Sequence, residues 1–508
     1  MRQQKEKGYL YFFLIIITMV TAFRLIYVAY GPLALAADEA HYWEWSRRLA
    51  LSYYSKGPLV AYLIFISTKL GGATELMVRL PAVLLSLASL LVLYFFSLEL
   101  FSSHKVSFWA AFSALVMPIF SAGSMLMTID APFVFLWLLA GWLSWRAVQA
   151  SSGHYLWLAF GATLGLGFLA KYTMLLFIPS LFMFLLVSGR QRRWLARKEP
   201  YLALLLALLI ASPVIFWNAA HDWVTVKHVM GQGGLYSGAL ISPKYFVRFF
   251  TSQLGVISPL LFIGLIWALV KAGHLGLRRG EESFLFLFWL SFPTLALFFL
   301  LSLHSNVQAN WPAAAYPLAL VALAALIALR PMEAKLVRKG FYLALGLALA
   351  LSAAGYYTDF IYRLKPDFKV RNDPTNRLRG WRELGRRVGE ILQDGQSERM
   401  FIFSDRYQLA SELAFYTPGN PRTYNVNLGR RLNQYDIWGG LSELQGSDGL
   451  FVRSGRGQLA PEVAAAFNEC TSLQPLEVTR LGRTIRVFSF FRCRGFSGFP
   501  PGPGTPRY

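Results

Sequence analysis

Ala37-Asp38-Glu39-Ala40-His41-Tyr42-Trp43-Glu44-Trp45, followed by Ser55-Lys56-Gly57-Pro58-Leu59, is the stretch whose reading decides the fold. It lies between apolar runs at 9–30 and 79–101. Each run is long enough to cross a bilayer as a helix, which takes about 20 residues. Two adjacent carboxylates, a histidine and a lysine therefore sit among aromatic rings at a membrane edge. Ionisable groups are costly there, and a cluster of them needs a reason. A paired acid with a phosphate-seeking cation suits chemistry on a lipid-phosphate-linked substrate.

Further apolar runs follow at 106–122, 131–148, 155–170, 173–188, 201–217, 256–273, 283–303, 312–329 and 340–357. They predict a polytopic α-helical membrane protein of about 11 spans, with up to 13 allowed by the short runs. Composition agrees: 55% of the 508 residues are hydrophobic and 15% charged, with a mean hydropathy of +0.43. No soluble domain hides that much apolar surface. Basic residues in short connections set orientation. A cytoplasmic N-terminus puts inside Arg2, Lys5 and Lys7, the run from Arg190 to Lys198, Lys271 to Arg279, and Arg330 to Lys339. The opposite loops at 123–130 and 304–311 contain no Lys or Arg. The chain thus reads as a multi-pass membrane protein with everything after 357 on the outer face; the resemblance given below implies a bacterial inner membrane and a periplasmic outer side. Its net charge of +22 is concentrated in cytoplasmic loops facing anionic lipid headgroups, so nucleic acid is not an expected partner. The first apolar run lacks a small-residue cleavage pattern and reads as a retained anchor.

Residues 1–357 are expected to form the membrane domain, 358–495 a periplasmic α/β domain, and 496–508, rich in Gly and Pro, a disordered tail. Strands are predicted at 400–405 and 485–490, and helices at 381–392, 409–416 and 461–467. Cys470 and Cys493, the two cysteines, both fall in the exported part. They are candidates for one disulfide there, with two free thiols as the alternative. Two outer loops are longer than a hairpin needs, 31–78 and 218–255. In the first, amphipathic runs at 39–51 and 58–70 are expected to lie along the membrane surface. The second contains His221-Asp222-Trp223, Lys227-His228 and Gly231-Gln232-Gly233-Gly234.

The topology predicts a convergence. Asp130 falls at the outer end of the fourth run and Lys171 at the outer turn between the fifth and sixth. Asp38, Glu39, His41, Tyr42 and Lys56 occupy the first outer loop, and His221 and Asp222 a later one. Each has a structural alternative. Asp130, before Ala-Pro, suits a helix N-cap, and Lys171 a snorkelling interface lysine. His221-Asp222-Trp223 suits an aromatic anchor with a structural histidine. His304 and Asn310-Trp311-Pro312 read as loop and aromatic-belt features. The Asp38-Glu39 pair resists this treatment, because one acid suffices for capping or topology.

The marks Asp38-Glu39, Lys56-Gly57-Pro58-Leu59, Arg79-Leu80-Pro81, Thr128-Ile129-Asp130-Ala131-Pro132 and Gly167-Phe168-Leu169-Ala170-Lys171-Tyr172 occur in that order. Over about residues 9–320 the chain resembles the GT-C glycosyltransferases that use polyprenyl-phosphate sugars. It is most similar to the bacterial aminoarabinose (lipid A) transferase and protein O-mannosyltransferase group. The resemblance implies a polyprenyl-phosphate-sugar donor and a lipid A, glycan or protein acceptor. It also implies juxtamembrane helices in the first outer loop and a catalytic role for Asp38. Lys56 and Lys171 would hold the donor phosphate, and Asp130 matches the second acidic motif. Glu39 and Asp130 are further catalytic candidates, and His41, Tyr42, His221 and Asp222 substrate-binding candidates. Ser55 stands where the aminoarabinose transferases have an acid, and His41-Tyr42 replaces an expected basic residue. The metal is therefore unknown. A divalent cation is allowed, but no metal-ligand spacing accompanies His221 and Asp222. A transporter is the rival class, weakened by the absence of an internal repeat, and a membrane scaffold with an outer binding domain is a third.

Overall fold

The structure, a computed structural model, describes residues 2–150, 154–232, 241–330, 335–365, 367–394 and 400–499. The expectations for Gly233-Gly234 and for the tail beyond Phe499 lie outside those residues. All eleven apolar runs are helical. Among the described residues, seven helices are long and apolar enough to cross a membrane: Glu6–Tyr30, Glu75–Phe101, Asp130–Gln149, Glu199–Ala220, Pro259–Arg279, Glu282–Leu301 and Val337–Tyr356. The other runs are shorter. The run at 106–122 is broken into His104–Val116 and Pro118–Gly123, with Met117 extended between them. The residue before a proline avoids the helical region, and proline itself suits a helix start.

The chain divides into two compact units. One comprises Met1–Tyr27, Lys56–Val60 and Arg79–Tyr357, and the other Val28–Ser55, Ala61–Val78 and Thr358–Tyr508. Most of outer loop 31–78 therefore groups with the C-terminal residues, not with the membrane domain to which the sequence assigned it.

In the first unit, Tyr316–Leu329 is buried from Tyr316 through Ile327. A helix apolar on every side belongs at the centre of its bundle. Helices His154–Ala170 and Glu199–Ala220 approach closely where Gly161 and Gly165 face Ala203 and Ala207. A Cβ on Gly161 would lie 2.3 Å from the Ala203 carbonyl oxygen. Small residues four apart allow such backbone contact in membranes, where dispersion and close packing replace the hydrophobic drive between helices. On Glu199–Ala220, Leu202, Leu205, Leu208, Leu209 and Phe216 are exposed, an apolar face suited to lipid.

The second unit contains a five-stranded sheet. Its strands are β1 (Met400–Ser404), β2 (Thr423–Asn425), β3 (Asp448–Ser454), β4 (Phe467–Arg480) and β5 (Arg483–Phe496), in the order β2-β1-β3-β5-β4. The β1 strand runs parallel to β2 and β3, while β5 is antiparallel to β3 and β4. Alternate residues face opposite sides, as the period of two requires. Ile402, Leu450, Val452, Phe488 and Phe490 pack with helices Trp381–Gln393 and Tyr407–Tyr416. Phe401, Phe403, Phe451, Phe467 and Phe491 form a second cluster on the other side. Cys470 and Cys493 are direct cross-strand partners and are joined in a disulfide.

The first loop helix, Ala37–Ser46, belongs to this unit and corrects an expectation. It is not a surface amphipath: Glu39 through Ser46 are all buried. Trp43 meets Phe415 edge-on at 4.9 Å, and Trp45 stacks on Tyr53 at 4.3 Å. The second loop helix is Leu59–Gly71.

Candidate active site

In the first unit the site is built around a break between helices. His154–Ala170 ends where the Lys171 amide donates to the Gly167 carbonyl at 2.9 Å. Lys171 is extended, with φ −153° and ψ 128°, and a 3-10 turn, Tyr172–Leu176, follows. The break turns the lysine inward, where its Nζ donates to Asp130 Oδ1 at 2.7 Å. The ammonium also lies 5.2 Å from the centre of the Phe133 ring. Lys171 is 8% exposed, so it is a buried, paired lysine and not a snorkelling one. Asp130 opens helix Asp130–Gln149, where the macrodipole favours negative charge. Its side chain does not cap the helix. Oδ2 instead accepts from Asn310 Nδ2 at 2.5 Å. The loop carrying Asn310 is pinned in turn: buried Gln253 donates to the Ala309 carbonyl at 3.2 Å and accepts from Tyr316 Oη at 2.5 Å.

The turn that carries Lys56 packs close to the Lys171 break. A Cβ on Gly57 would lie 2.1 Å from the Leu169 carbonyl oxygen. Only glycine lets the Lys56-Gly57-Pro58 turn rest on the backbone two residues before Lys171. Asp130 and Asn310 also border an apolar cavity of about 440 Å³ within this unit. Its polar lining includes Arg24, Ser86, Ser89 and Ser124.

In the second unit, helix Ala37–Ser46 separates the two acids. Successive residues on a helix point about 100° apart, and here Asp38 is exposed while Glu39 is fully buried. Tyr407 Oη donates to Asp38 Oδ1 at 3.4 Å. Burial, with the Asp38 charge beside it, raises the Tyr407 phenol above its usual range, so it remains a donor. Glu39 Oε2 accepts from the Ala36 amide at 2.8 Å, the bond of a helix N-terminal cap.

His41 and Tyr42 are corrections as well. Trp45 Nε1 donates to His41 Nε2 at 3.1 Å, and Nδ1 meets Ser411 Oγ at 3.0 Å. Accepting at Nε2 leaves the proton on Nδ1, and burial pushes the imidazole pKa down to about 3. His41 is thus a neutral structural link. Tyr42 is 7% exposed and packs edge-on against Trp45 at 5.0 Å. Glu44, buried beside them, accepts from Arg47 at 2.8 Å, and burial raises its pKa.

His221 stacks on Trp217 at 4.0 Å, and its Nδ1 lies 2.8 Å from the Trp217 carbonyl. That is the anchor geometry. Asp222 and Trp223 both have positive φ, 52° and 55°, in a turn held by Asn218, whose carbonyl accepts from the Trp223 amide at 2.8 Å. No described contact joins His221 or Asp222 to Asp130. Among the described residues no group of three or more His, Cys, Asp or Glu side chains is disposed to hold a metal ion.

Residues 55–217 match the family described as dolichyl-phosphate-mannose-protein mannosyltransferase. The chain is similar to ArnT from Cupriavidus metallidurans bound to undecaprenyl phosphate, with a TM-score of 0.60 at 14% identity over 94% of this chain and 97% of that one. The fold is that of the GT-C glycosyltransferases. This GT-C chain is also 29% identical over 304 residues to the lipid A galacturonosyltransferase RgtD of Rhizobium johnstonii, covering 60% of this chain and 63% of that protein. It is 26% identical over 268 residues to the undecaprenyl phosphate-alpha-4-amino-4-deoxy-L-arabinose arabinosyl transferase of Aeromonas hydrophila subsp. hydrophila, covering 50% of this chain and 47% of that protein. The chain thus spans between about half and two thirds of these relatives' lengths. They and the fold make it a membrane-embedded, multi-pass protein resembling the lipid A sugar transferases.

Sequence reasoning missed Asn310 and Arg24. Asn310 stood in a motif assigned to the aromatic belt. Arg24 is a lone charge inside the first apolar run, and its position there was the available signal.

Proposed function

We propose that this chain is an inverting glycosyltransferase that moves a sugar from a polyprenyl-phosphate donor to lipid A on the periplasmic face. The observation that carries the reading is the packing of the Lys56-Gly57-Pro58 turn against the backbone at Leu169. It brings two lysine-bearing turns together in a fold shared with a protein bound to undecaprenyl phosphate. Cations preorganised for a departing phosphate lower the cost of the charge that builds there.

The acceptor oxygen attacks the anomeric carbon from the face opposite the phosphate. The new carbon–oxygen bond forms as the carbon–oxygen bond to phosphate breaks, and the electron pair leaves with the polyprenyl phosphate. Lys56 and Lys171 hold that phosphate. Asp38, exposed and held by Tyr407, takes the proton of an acceptor hydroxyl. Where the acceptor is already a phosphate oxygen, no proton moves and Asp38 orients it. Asp130, bonded at both oxygens, positions Lys171. Eleven spans with a cytoplasmic N-terminus put residues 358–508 in the periplasm. The positive-inside pattern and a disulfide, which persists in oxidising compartments, both support that orientation.

A protein hydroxyl as acceptor is the second reading, favoured by the match over residues 55–217. Labelled polyprenyl-phosphate sugar given to membranes with the wild-type protein separates the two. Label in lipid A, lowered about 100-fold by Lys56→Ala, is the expected result. Label in protein favours the second reading, and no transfer to either sinks both.

A further inference from the structure

Arg24 lies in helix Arg2–Tyr30 and is 3% exposed. A lone arginine on a membrane helix ordinarily snorkels its guanidinium to the headgroups. This one does not. Its Nη1 donates to Ser86 Oγ at 3.2 Å, and its Nε has no hydrogen-bond partner. Among the described residues no carboxylate forms an ion pair with it. The side chain borders the 440 Å³ cavity that Asp130 and Asn310 also border, within the size range of small-molecule sites. Ser86 and Ser89 line the wall near it, and Leu90, Leu93, Leu115 and Val134 make most of the remainder apolar.

A permanently charged fork in so apolar a setting needs an anionic oxygen pair, and guanidinium geometry matches a carboxylate in bidentate fashion. The described residues supply none, which leaves the substrate to do so. Two groups of a lipid-linked sugar donor have that chemistry: the phosphate, and a carboxylate on the sugar. The proposed function, on which this inference rests, gives the phosphate to Lys56 and Lys171. We propose that Arg24 reads the carboxylate of a uronic acid, so the donor sugar is a hexuronic acid and Arg24 determines that specificity. A neutral hexose leaves the guanidinium without a counter-charge, and an amino sugar adds a second cation beside it. Sites built to pair a polar group reject analogues that lack it far more strongly than apolar pockets reject an extra methylene.

The test uses the full chain in liposomes, with lipid A as acceptor and three donors: polyprenyl phosphates carrying galacturonic acid, galactose and aminoarabinose. Wild-type protein is expected to favour the uronic acid by about 100-fold in kcat/KM over either other donor. Arg24→Gln is expected to collapse that ratio, and Arg24→Lys to restore part of it. Wild-type transfer of galactose or aminoarabinose at the uronic acid rate overturns the inference while leaving the transferase reading intact. So does an Arg24→Gln protein that loses all donors equally, since that marks a phosphate contact or a damaged fold. No transfer from any donor by wild-type protein overturns the transferase reading, and the inference with it.

Discussion

Asp38 and Asp130 are two of the carboxylates that the sequence singled out, and they are held in different ways. Both oxygens of Asp130 are engaged, one by Lys171 at 2.7 Å and one by Asn310 at 2.5 Å. Asp38 is exposed, and its Oδ1 accepts from Tyr407 Oη at 3.4 Å. A carboxylate committed to a buried cation is needed to keep that cation in place and charged. An exposed carboxylate can be reached by a substrate hydroxyl in a way that a buried, cation-bound one cannot. Motif matching treats the two acids alike, whereas their exposure and bonding support the proposed division, Asp38 toward the acceptor and Asp130 acting through Lys171.

Replacing each acid in turn gives the largest contrast. Asp38→Asn should lower kcat by about 1000-fold, the range of a lost general base, with an unchanged melting temperature. Asp130→Asn should lower transfer less, by about 100-fold, and also destabilise the protein. Breaking one side of a buried ion pair strands the other charge and costs about 3 kcal/mol or more. The double variant Asp130→Leu with Lys171→Met should regain thermal stability without regaining transfer, because the charge penalty goes and the phosphate ligand stays lost. Equal melting temperatures for Asp38→Asn and Asp130→Asn would erase the distinction.

The same contrast explains what could be read in advance. Apolar length is a local property, so the eleven apolar runs in 1–357 were legible as helices, whereas Val224–Gln232 and Pro243–Ile257, within the stretch read as a loop, were not. The Asp38-Glu39 pair was legible as a site but not as a division of labour. Helical spacing says that one acid faces out, and only the packing of Trp43 and Trp45 decides which. Asn310 lies 180 residues from Asp130, and no local pattern announces such a pairing. The β4 strand was missed because most of its residues are exposed and polar, from Asn468 to Arg480, which blurs alternation. The β2 strand has three residues, too few to carry a pattern. Lys56-Gly57 was legible as a motif, but its reason, the Leu169 backbone against the glycine, belongs to the folded bundle.

His41 sharpens the comparison on the structural side of the Asp38 helix. Its folded pKa is about 3, against 6.5 for the free group. A base whose pKa is depressed by folding binds fewer protons folded than unfolded. Its contribution is therefore fully present above pH 6.5 and is lost as pH falls toward 3. Between pH 6.5 and 4.5 wild-type protein should lose roughly 2 kcal/mol of stability from this group, read as a falling melting temperature. His41→Gln should flatten that part of the profile. A wild-type melting temperature constant across the window would mean that the imidazole is not neutral and enclosed as its bonds to Trp45 and Ser411 require.

Glu39 carries the smallest effect and the most pointed one, because it is adjacent to Asp38 and was a candidate for the same chemistry. Its Oε2 satisfies the Ala36 amide, one of the donors left open at the start of Ala37–Ser46. Glu39→Ala should cost about 1 kcal/mol, the usual worth of an N-terminal cap. Glu39→Gln keeps an amide oxygen for the same bond and gives up only a charge near the helix start, worth about 0.5 kcal/mol. Transfer per folded molecule should follow neither change. If Glu39→Gln instead abolishes transfer while its melting curve stays at the wild-type position, the buried acid shares the chemistry assigned to Asp38. The helix would then present both carboxylates to the substrate, which its packing around Glu39 argues against.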